Sequence, residues 1–188
     1  MTSYLTEMNS EQVLLEKARQ FEEHALVAIY DEFSPGIYRY AIRQLGDEHL
    51  AEECVADTFS RFLAALKGGK GPNQYLRAYL YRIAHNWITD CYRRRPPPDL
   101  PLDSELHADP FTEPAQIVAE GMRQQEVRAA LAQLTEEQRQ VVVLKYLENW
   151  SNEEIAGVLE KPVGAVKALQ HRGVRALRRI LLKEEEIR

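Results

Sequence analysis

Lys167, His171 and Arg175 recur at every fourth residue near the end of the chain, with Ala168 and Arg172 beside them. In a helix that spacing gathers all five on one face. Val166, Leu169, Gly173, Leu177 and Ile180 recur at intervals of three and four and form the stripe that must be buried. A face that pairs cations with the small Ala165 and Ala168 can enter a DNA major groove, where cations meet phosphates and base edges. A basic helix on its own is more often a solvated surface. Here its surroundings favour DNA: Ser151 and Glu154 have the spacing of a capping box that opens a short helix ending near Leu159. Glu160-Lys161-Pro162 makes a tight turn, and the basic helix runs on to about Lys183. A short helix, a turn and a longer helix form a helix-turn-helix pattern.

A second candidate surface lies between Asn73 and Arg94, where Arg82, Asn86, Thr89 and Arg93 share a helical face, with His85 alongside and Arg94 and Arg95 at the end. Interleaved Tyr75, Tyr79, Tyr81 and Tyr92 suit a nucleic-acid strand whose bases are unstacked, because aromatic rings can replace lost stacking. Leu76, Leu80, Ile83, Trp87 and Cys91 are expected to be the buried stripe, so Trp87 is read as core. A third surface is acidic. Asp47, Glu48, Glu52, Glu53 and Asp57 spread over exposed positions of one helix, either a solvated face or a docking surface for a basic protein.

The elements that must carry these faces are all helical. No stretch alternates β-branched and polar residues between turn residues over a strand's length. The expected helices run from about Leu14 to Phe33, broken by Ser34-Pro35-Gly36; from there to Gly46; from an Asp47 N-cap to about Leu66; and from about Asn73 to Arg94. Leu50, Cys54, Phe59 and Phe62 belong to the third helix's apolar stripe, and the glycine-rich stretch from Lys67 to Pro72 is a loop. Pro96, Pro97, Pro98 and Pro101, followed by Pro110 and Pro114, preclude helix and sheet and mark a domain boundary. Helical pattern resumes from about Ala115 to Leu134, and Thr135 with Gln138 opens another helix. The fold class is all-α: two small helical domains, 1–95 and 115–188, joined by an extended, proline-rich, acidic linker at 96–114.

The formal net charge of −5 over 188 residues argues against nucleic acid only until its distribution is considered. No acidic residue falls between Lys161 and Lys183, and no lysine or arginine between Pro96 and Gly121. A DNA-facing surface on an acidic chain implies binding that depends on a partner. No apolar run approaches the roughly 20 residues that cross a bilayer, and the N-terminus is polar and acidic, so a cytoplasmic protein without membrane insertion is expected. Cys54 and Cys91 lack paired spacing and the five histidines lack ligand spacing, so no metal or cofactor is expected.

Four blocks in order resemble the extracytoplasmic-function (group IV, sigma-70 family) RNA polymerase sigma factors. Tyr30-Asp-Glu-Phe-Ser-Pro-Gly-Ile-Tyr-Arg-Tyr-Ala, with Leu45-Gly-Asp and Ala51-Glu-Glu-Cys-Val-Ala-Asp-Thr-Phe59, is similar to the start of sigma region two. Tyr79-Leu-Tyr-Arg-Ile-Ala-His-Asn-Trp-Ile-Thr-Asp90, with Arg93, Arg94 and Arg95, is similar to its promoter-melting helix. Leu134-Thr-Glu-Glu-Gln-Arg-Gln-Val-Val-Val-Leu-Lys-Tyr146 and Ser151-Asn-Glu-Glu-Ile-Ala156 resemble region four. The resemblance implies that Glu52, Glu53, Asp57 and Phe59 bind the polymerase clamp. It implies that Lys70 and Asn73, in the loop that captures a flipped base, and Arg82, Asn86, Arg93 and Arg94 hold the opened minus-ten element. Lys167, Ala168, His171, Arg172 and Arg175 would read the minus-thirty-five element. Many members carry Thr-Val-Lys-Ser-Arg where this chain has Ala165-Val-Lys-Ala-Leu169, so two polar contacts are absent here.

The partners implied are core RNA polymerase (clamp and flap), promoter DNA and an anti-sigma factor. Strand opening would be stabilised by capture of unpaired bases, without enzymatic activity. Promoter elements about 16 base pairs apart lie about 55 Å apart, and a tether from Arg95 to Pro114 reaches about 65 Å when extended. Two rival readings are a stand-alone helix-turn-helix regulator, which leaves Tyr30 to Arg95 unexplained, and a sigma mimic that titrates an inhibitor, against which the retained Arg82, Arg93, Lys167 and Arg172 argue.

Overall fold

The computed structural model describes residues 2–94 and 126–186, with side chains over 11–94 and 126–182; the proline-rich tether and the helix start expected at Ala115 lie outside them. All regular elements among the described residues are helical: α1 (Thr2–Arg19), α2 (Glu23–Leu45), α3 (Glu48–Lys67) and α4 (Leu76–Arg94) form the N-terminal unit. Helical residues 126–132 (α5), α6 (Glu136–Val142), a π-helical turn (Val143–Leu147), α7 (Asn152–Leu159) and α8 (Val163–Glu186) form the C-terminal unit.

The first helix break falls at Gln20-Phe21-Glu22, not at Ser34-Pro35-Gly36. Phe21 takes a left-handed φ of 56°. Its N–H donates to the Ala18 carbonyl at 3.0 Å and that of Glu22 to Lys17 at 3.2 Å, closing α1 as a left-handed cap does. Pro35 instead lies inside α2. An interior proline costs about 3 kcal/mol through a lost hydrogen bond and a ring clash. Ala25, Ile29, Phe33, Ile37, Tyr40 and Ala41 are nevertheless buried on one face across it. At roughly 1.5–3 kcal/mol for each large apolar side chain, that stripe outweighs the proline.

The next corner follows local rules. Gly46 closes α2 with φ 69°, its N–H donating to Ile42 O, and the Asp47 carboxylate accepts from the Leu50 N–H at 2.9 Å to open α3. The α4 stripe is displaced from its expected register: Leu76, Leu80, Tyr81, Ala84 and Ile88 are buried, whereas Ile83, Trp87 and Cys91 are half-buried. The small Ala84 admits α3, and the Cys54 thiol lies 3.8 Å from its carbonyl. Burial pushes that thiol up to about 12, so Cys54 is an inert packing group. Tyr75, with φ 57°, delays the start of α4 to Leu76.

In the C-terminal unit, Thr135 caps α6 and the complete capping box of Ser151 and Glu154 opens α7. Glu160, in the left-handed region at φ 52°, ends α7 and turns the chain into α8. Val166, Leu169 and Gly173 face the unit's core. A Cβ on Gly173 would fall 2.7 Å from a Val142 methyl and 3.4 Å from the Gln138 carbonyl, so this glycine lets α8 close against α6.

Two glycines should therefore respond with opposite signs. Gly173→Ala is expected to lower stability by about 1 kcal/mol or more through overpacking. Gly157→Ala, on the exposed side of α7 with nothing within 4 Å, should raise it by about 0.5–1 kcal/mol. Urea unfolding of both variants measures the difference.

Candidate nucleic-acid interface

The α8 residues expected to meet duplex DNA, Lys167, Ala168, His171, Arg172 and Arg175, are all exposed, opposite the buried Val166, Leu169 and Gly173. The turn that aims them is tight: the Pro162 carbonyl accepts from the N–H groups of Ala165 at 2.9 Å and Val166 at 3.1 Å. Sequence reasoning missed Tyr146 and Arg178 at the border of the same face. Tyr146 arrives from the π-helical turn, and its hydroxyl accepts from the Gln170 side chain at 2.8 Å. A π turn offsets side chains from 3.6-residue periodicity, so the sequence pattern did not place Tyr146 there.

On α4 and the loop before it, Lys70, Asn73, Asn86, Arg93 and Arg94 are exposed. Arg82 is half-buried, its guanidinium 5.7 Å from the centre of the Tyr79 ring. Two of these polar groups have protein partners. Asn73 accepts from Arg19 and Arg93 pairs with Asp90. A brace from α1 also went unforeseen: the Glu11 carboxylate accepts from the Leu76 N–H at 2.6 Å and so caps α4. Together Glu11 and Arg19 tie both ends of the segment from Asn73 to Leu76 to α1, a connection across more than fifty residues that leaves no local pattern.

Glu52 and Glu53 are exposed on α3, with His49 3.3 Å from Glu53. Asp57 pairs with Arg61 at 2.6 Å. Phe59 is buried, and the exposed ring at that place is Tyr30, its centroid 4.8 Å from that of Phe59. Val27 and Leu63 are further exposed apolar residues of α2 and α3.

The two units touch along a face that the sequence did not announce. Helix α4 packs on α7, while α2 packs on α6 and the π turn. At its centre the buried Glu148 carboxylate meets Arg43 at 2.6 Å and accepts from the Tyr81 hydroxyl at 3.2 Å, with Arg39 at 3.9 Å. Arg77 donates to the Glu148 carbonyl at 2.9 Å and lies 4.3 Å from the centre of the Trp150 ring, which itself packs 4.8 Å from Tyr81. A second fastening is Arg139, which donates to the Gln44 carbonyl at 2.7 Å and the Tyr92 hydroxyl at 3.0 Å. Burial dominates the titration of the α4 groups here, raising Tyr92 to about 12 and lowering His85 to about 4.

Helical bundle, helix-turn-helix and separate cationic faces define a DNA-binding protein of two units. Comparisons with known proteins specify it further. Residues 29–96 match the sigma-70 region 2 model and residues 124–177 the sigma-70 region 4 model. The chain is 32% identical to the ECF RNA polymerase sigma factor SigW of Bacillus subtilis (strain 168), covering 89% of this chain and 94% of that one. It is likewise 32% identical to SigL of Mycobacterium tuberculosis, over 80% and 85% of the two chains. CnrH, solved in complex with the cytosolic domain of CnrY, is similar with a TM-score of 0.68 and 26% identity, over 90% of this chain and 96% of that one. The chain belongs to the ECF RNA polymerase sigma factors. It is an initiation factor rather than an enzyme. Among the described residues no helix is long and apolar enough to cross a membrane.

His85 generates a pH prediction. Burial, then Lys161, lowers its folded-state pKa from its ordinary 6.5 to about 4, with Glu160 opposing. As pH falls below 6.5, the unfolded chain therefore takes up this proton first. The contribution from neutral His85 is whole above that pH and is lost on acidification towards pH 4. Urea midpoints across this interval should fall less steeply for His85→Gln than for the parent chain.

Proposed function

We propose that the chain docks on the clamp of core RNA polymerase through the α3 face of Glu52, Glu53 and Asp57, with Phe59 beneath supporting Tyr30. Region four then engages the minus-thirty-five duplex through Lys167, Ala168, His171, Arg172 and Arg175, and contacts the polymerase flap. Lys70 and Asn73 in the loop, with Arg82, Asn86, Arg93 and Arg94 on α4, hold the unpaired non-template strand of the minus-ten element. The observation that carries this reading is the two-faced α8: five exposed groups of the right chemistry opposite a buried stripe, at the end of a capped helix-turn-helix.

The mechanism is binding throughout. Phosphate contacts by Lys167, Arg172 and Arg175 set register on the duplex, and base edges are read where Ala168 allows close approach. Aromatic and cationic groups of α4 then stabilise bases once they leave the stack. Polymerase performs the phosphodiester chemistry. The protein works in the cytoplasm, where polymerase and promoters are. An anti-sigma polypeptide that covers the docking faces is the proposed regulator, a reading supported by the likeness to CnrH, which was solved with the cytosolic domain of CnrY.

Purified chain added to bacterial core polymerase is expected to give discrete start sites on genomic templates. Transcription indistinguishable from core polymerase alone would contradict the proposal. Lys167→Ala should weaken holoenzyme binding across promoter sequences and lower the slope of log affinity against log salt by about one. A wild-type slope would remove Lys167 from the interface.

A further inference from the structure

The chain just before α4 is anchored on both sides of two free side chains. A Cβ on Gly71 would fall 2.5 Å from a Leu66 methyl carbon, so the loop lies directly against the end of α3. Pro72 and Leu76 are buried. Asn73 accepts from Arg19, and the Leu76 N–H donates to the Glu11 carboxylate at 2.6 Å. Between these anchors the side chains of Gln74 and Tyr75 are exposed. Both polar ties come from α1, which precedes the residues matched to sigma-70 region 2.

Tyr75 is held in a conformation that its side chain disfavours. Its φ is 57°, in the left-handed region where a Cβ crowds the backbone. Of the four non-glycine residues with positive φ among the described residues, Phe21, Asn149 and Glu160 follow the ends of helices. A left-handed residue there closes the last turn. Tyr75 precedes a helix, so such capping does not account for it. Strain of this kind persists only where neighbours over-determine the backbone, and it collects at functional positions.

What the strain maintains is a bare ring. Tyr75 is 68% exposed, the highest value for a large hydrophobic side chain among the described residues. The other tyrosines of this segment are engaged elsewhere. Tyr81 is buried and donates to Glu148, and Tyr92 donates to the Gln44 carbonyl. Tyr79 packs against the Phe62 ring and the Arg82 guanidinium. An exposed aromatic ring beside a loop that also exposes Lys67 and Lys70 has the chemistry of a stacking platform next to a phosphate track.

We propose that Tyr75 stacks on an unpaired base of the non-template strand, and that Glu11 and Arg19 of α1 are positioning residues that hold it out to do so. This rests on the reading that the loop and α4 hold the opened minus-ten element. Stacking tolerates any base, so Tyr75 strengthens capture rather than choosing sequence.

The test is holoenzyme binding to a fork-junction form of a promoter from which it initiates, with 2-aminopurine placed in turn along the unpaired non-template strand. The parent protein should quench the probe at one position, and Tyr75→Phe should keep that signal. Tyr75→Ala and Tyr75→Gly should lose it and bind the fork about tenfold more weakly. Tyr75→Gly should nevertheless raise the urea midpoint of the free chain, because glycine takes a positive φ without strain. A purely structural role would move binding and stability together. Arg19→Ala and Glu11→Ala should reduce quenching when Tyr75 is present and add nothing in a Tyr75→Ala background, while Arg19→Lys retains the signal. Equal losses in both backgrounds would overturn the positioning role. Parent-like binding and quenching in Tyr75→Ala overturns the stacking role, and so does a Tyr75→Phe variant as weak as Tyr75→Ala. Asn86→Ala and Arg93→Ala on the same fork keep the failures apart: if they weaken binding, the Tyr75 inference alone falls; if they too are parent-like, the minus-ten reading falls with it.

Discussion

A carboxylate withdrawn from water has to be met by cations or hydrogen-bond donors, and Glu148 meets this demand with residues more than sixty positions away. That requirement organises much of the molecule. It brings Arg43 and Tyr81 to one point, places Trp150 against Tyr81 and Arg77, and sets α7 on α4. The two units share this ion pair, its aromatic surround and one continuous apolar cluster, while each unit's own fold follows from its apolar stripes.

The C-terminal unit shows how the proposed DNA-reading face is made rigid without being buried. Ser151 fixes where α7 begins, Glu160 where it ends and Pro162 where α8 begins, and Gly173 seats α8 on α6. Cations on the opposite face then sit on a frame that binding does not have to order. The N-terminal unit uses different means, with α1 capping α4 through Glu11 and tying Asn73 through Arg19. In both units the contacting groups lie on helices, or beside a capped helix end, whose positions are set by distant packing.

How much of this was legible in the sequence depended on the range of the interaction. Asp47, Gly46, Ser151 and the α8 stripe act within one or two turns, so their residue types and spacing announced them. The break between α1 and α2 was misplaced because proline and glycine at 35 and 36 signal a local stop, whereas the stripe from Ile29 to Tyr40 is buried as one. The α4 stripe was displaced because α4 is packed by α3 on one side and α7 on another, and one period cannot describe two contacts. The candidate DNA residues were legible as charged faces, and Asp90 stands three residues before Arg93 as its partner. Glu148 and Arg139 carried no such signal: Arg43 lies 105 residues from Glu148, and the Gln44 carbonyl that Arg139 reaches lies 95 residues from it.

The most direct test of the whole account is to locate both reading helices on one promoter. Holoenzymes carrying a photo-crosslinker at Asn86 or at Arg175 would be bound to end-labelled promoter DNA and irradiated. The account predicts crosslinks from Asn86 to the non-template strand of the opened element, and from Arg175 to duplex about 16 base pairs upstream, a separation of about 55 Å. Crosslinks from both positions to the same few base pairs, or from Arg175 to no DNA at all, would contradict it.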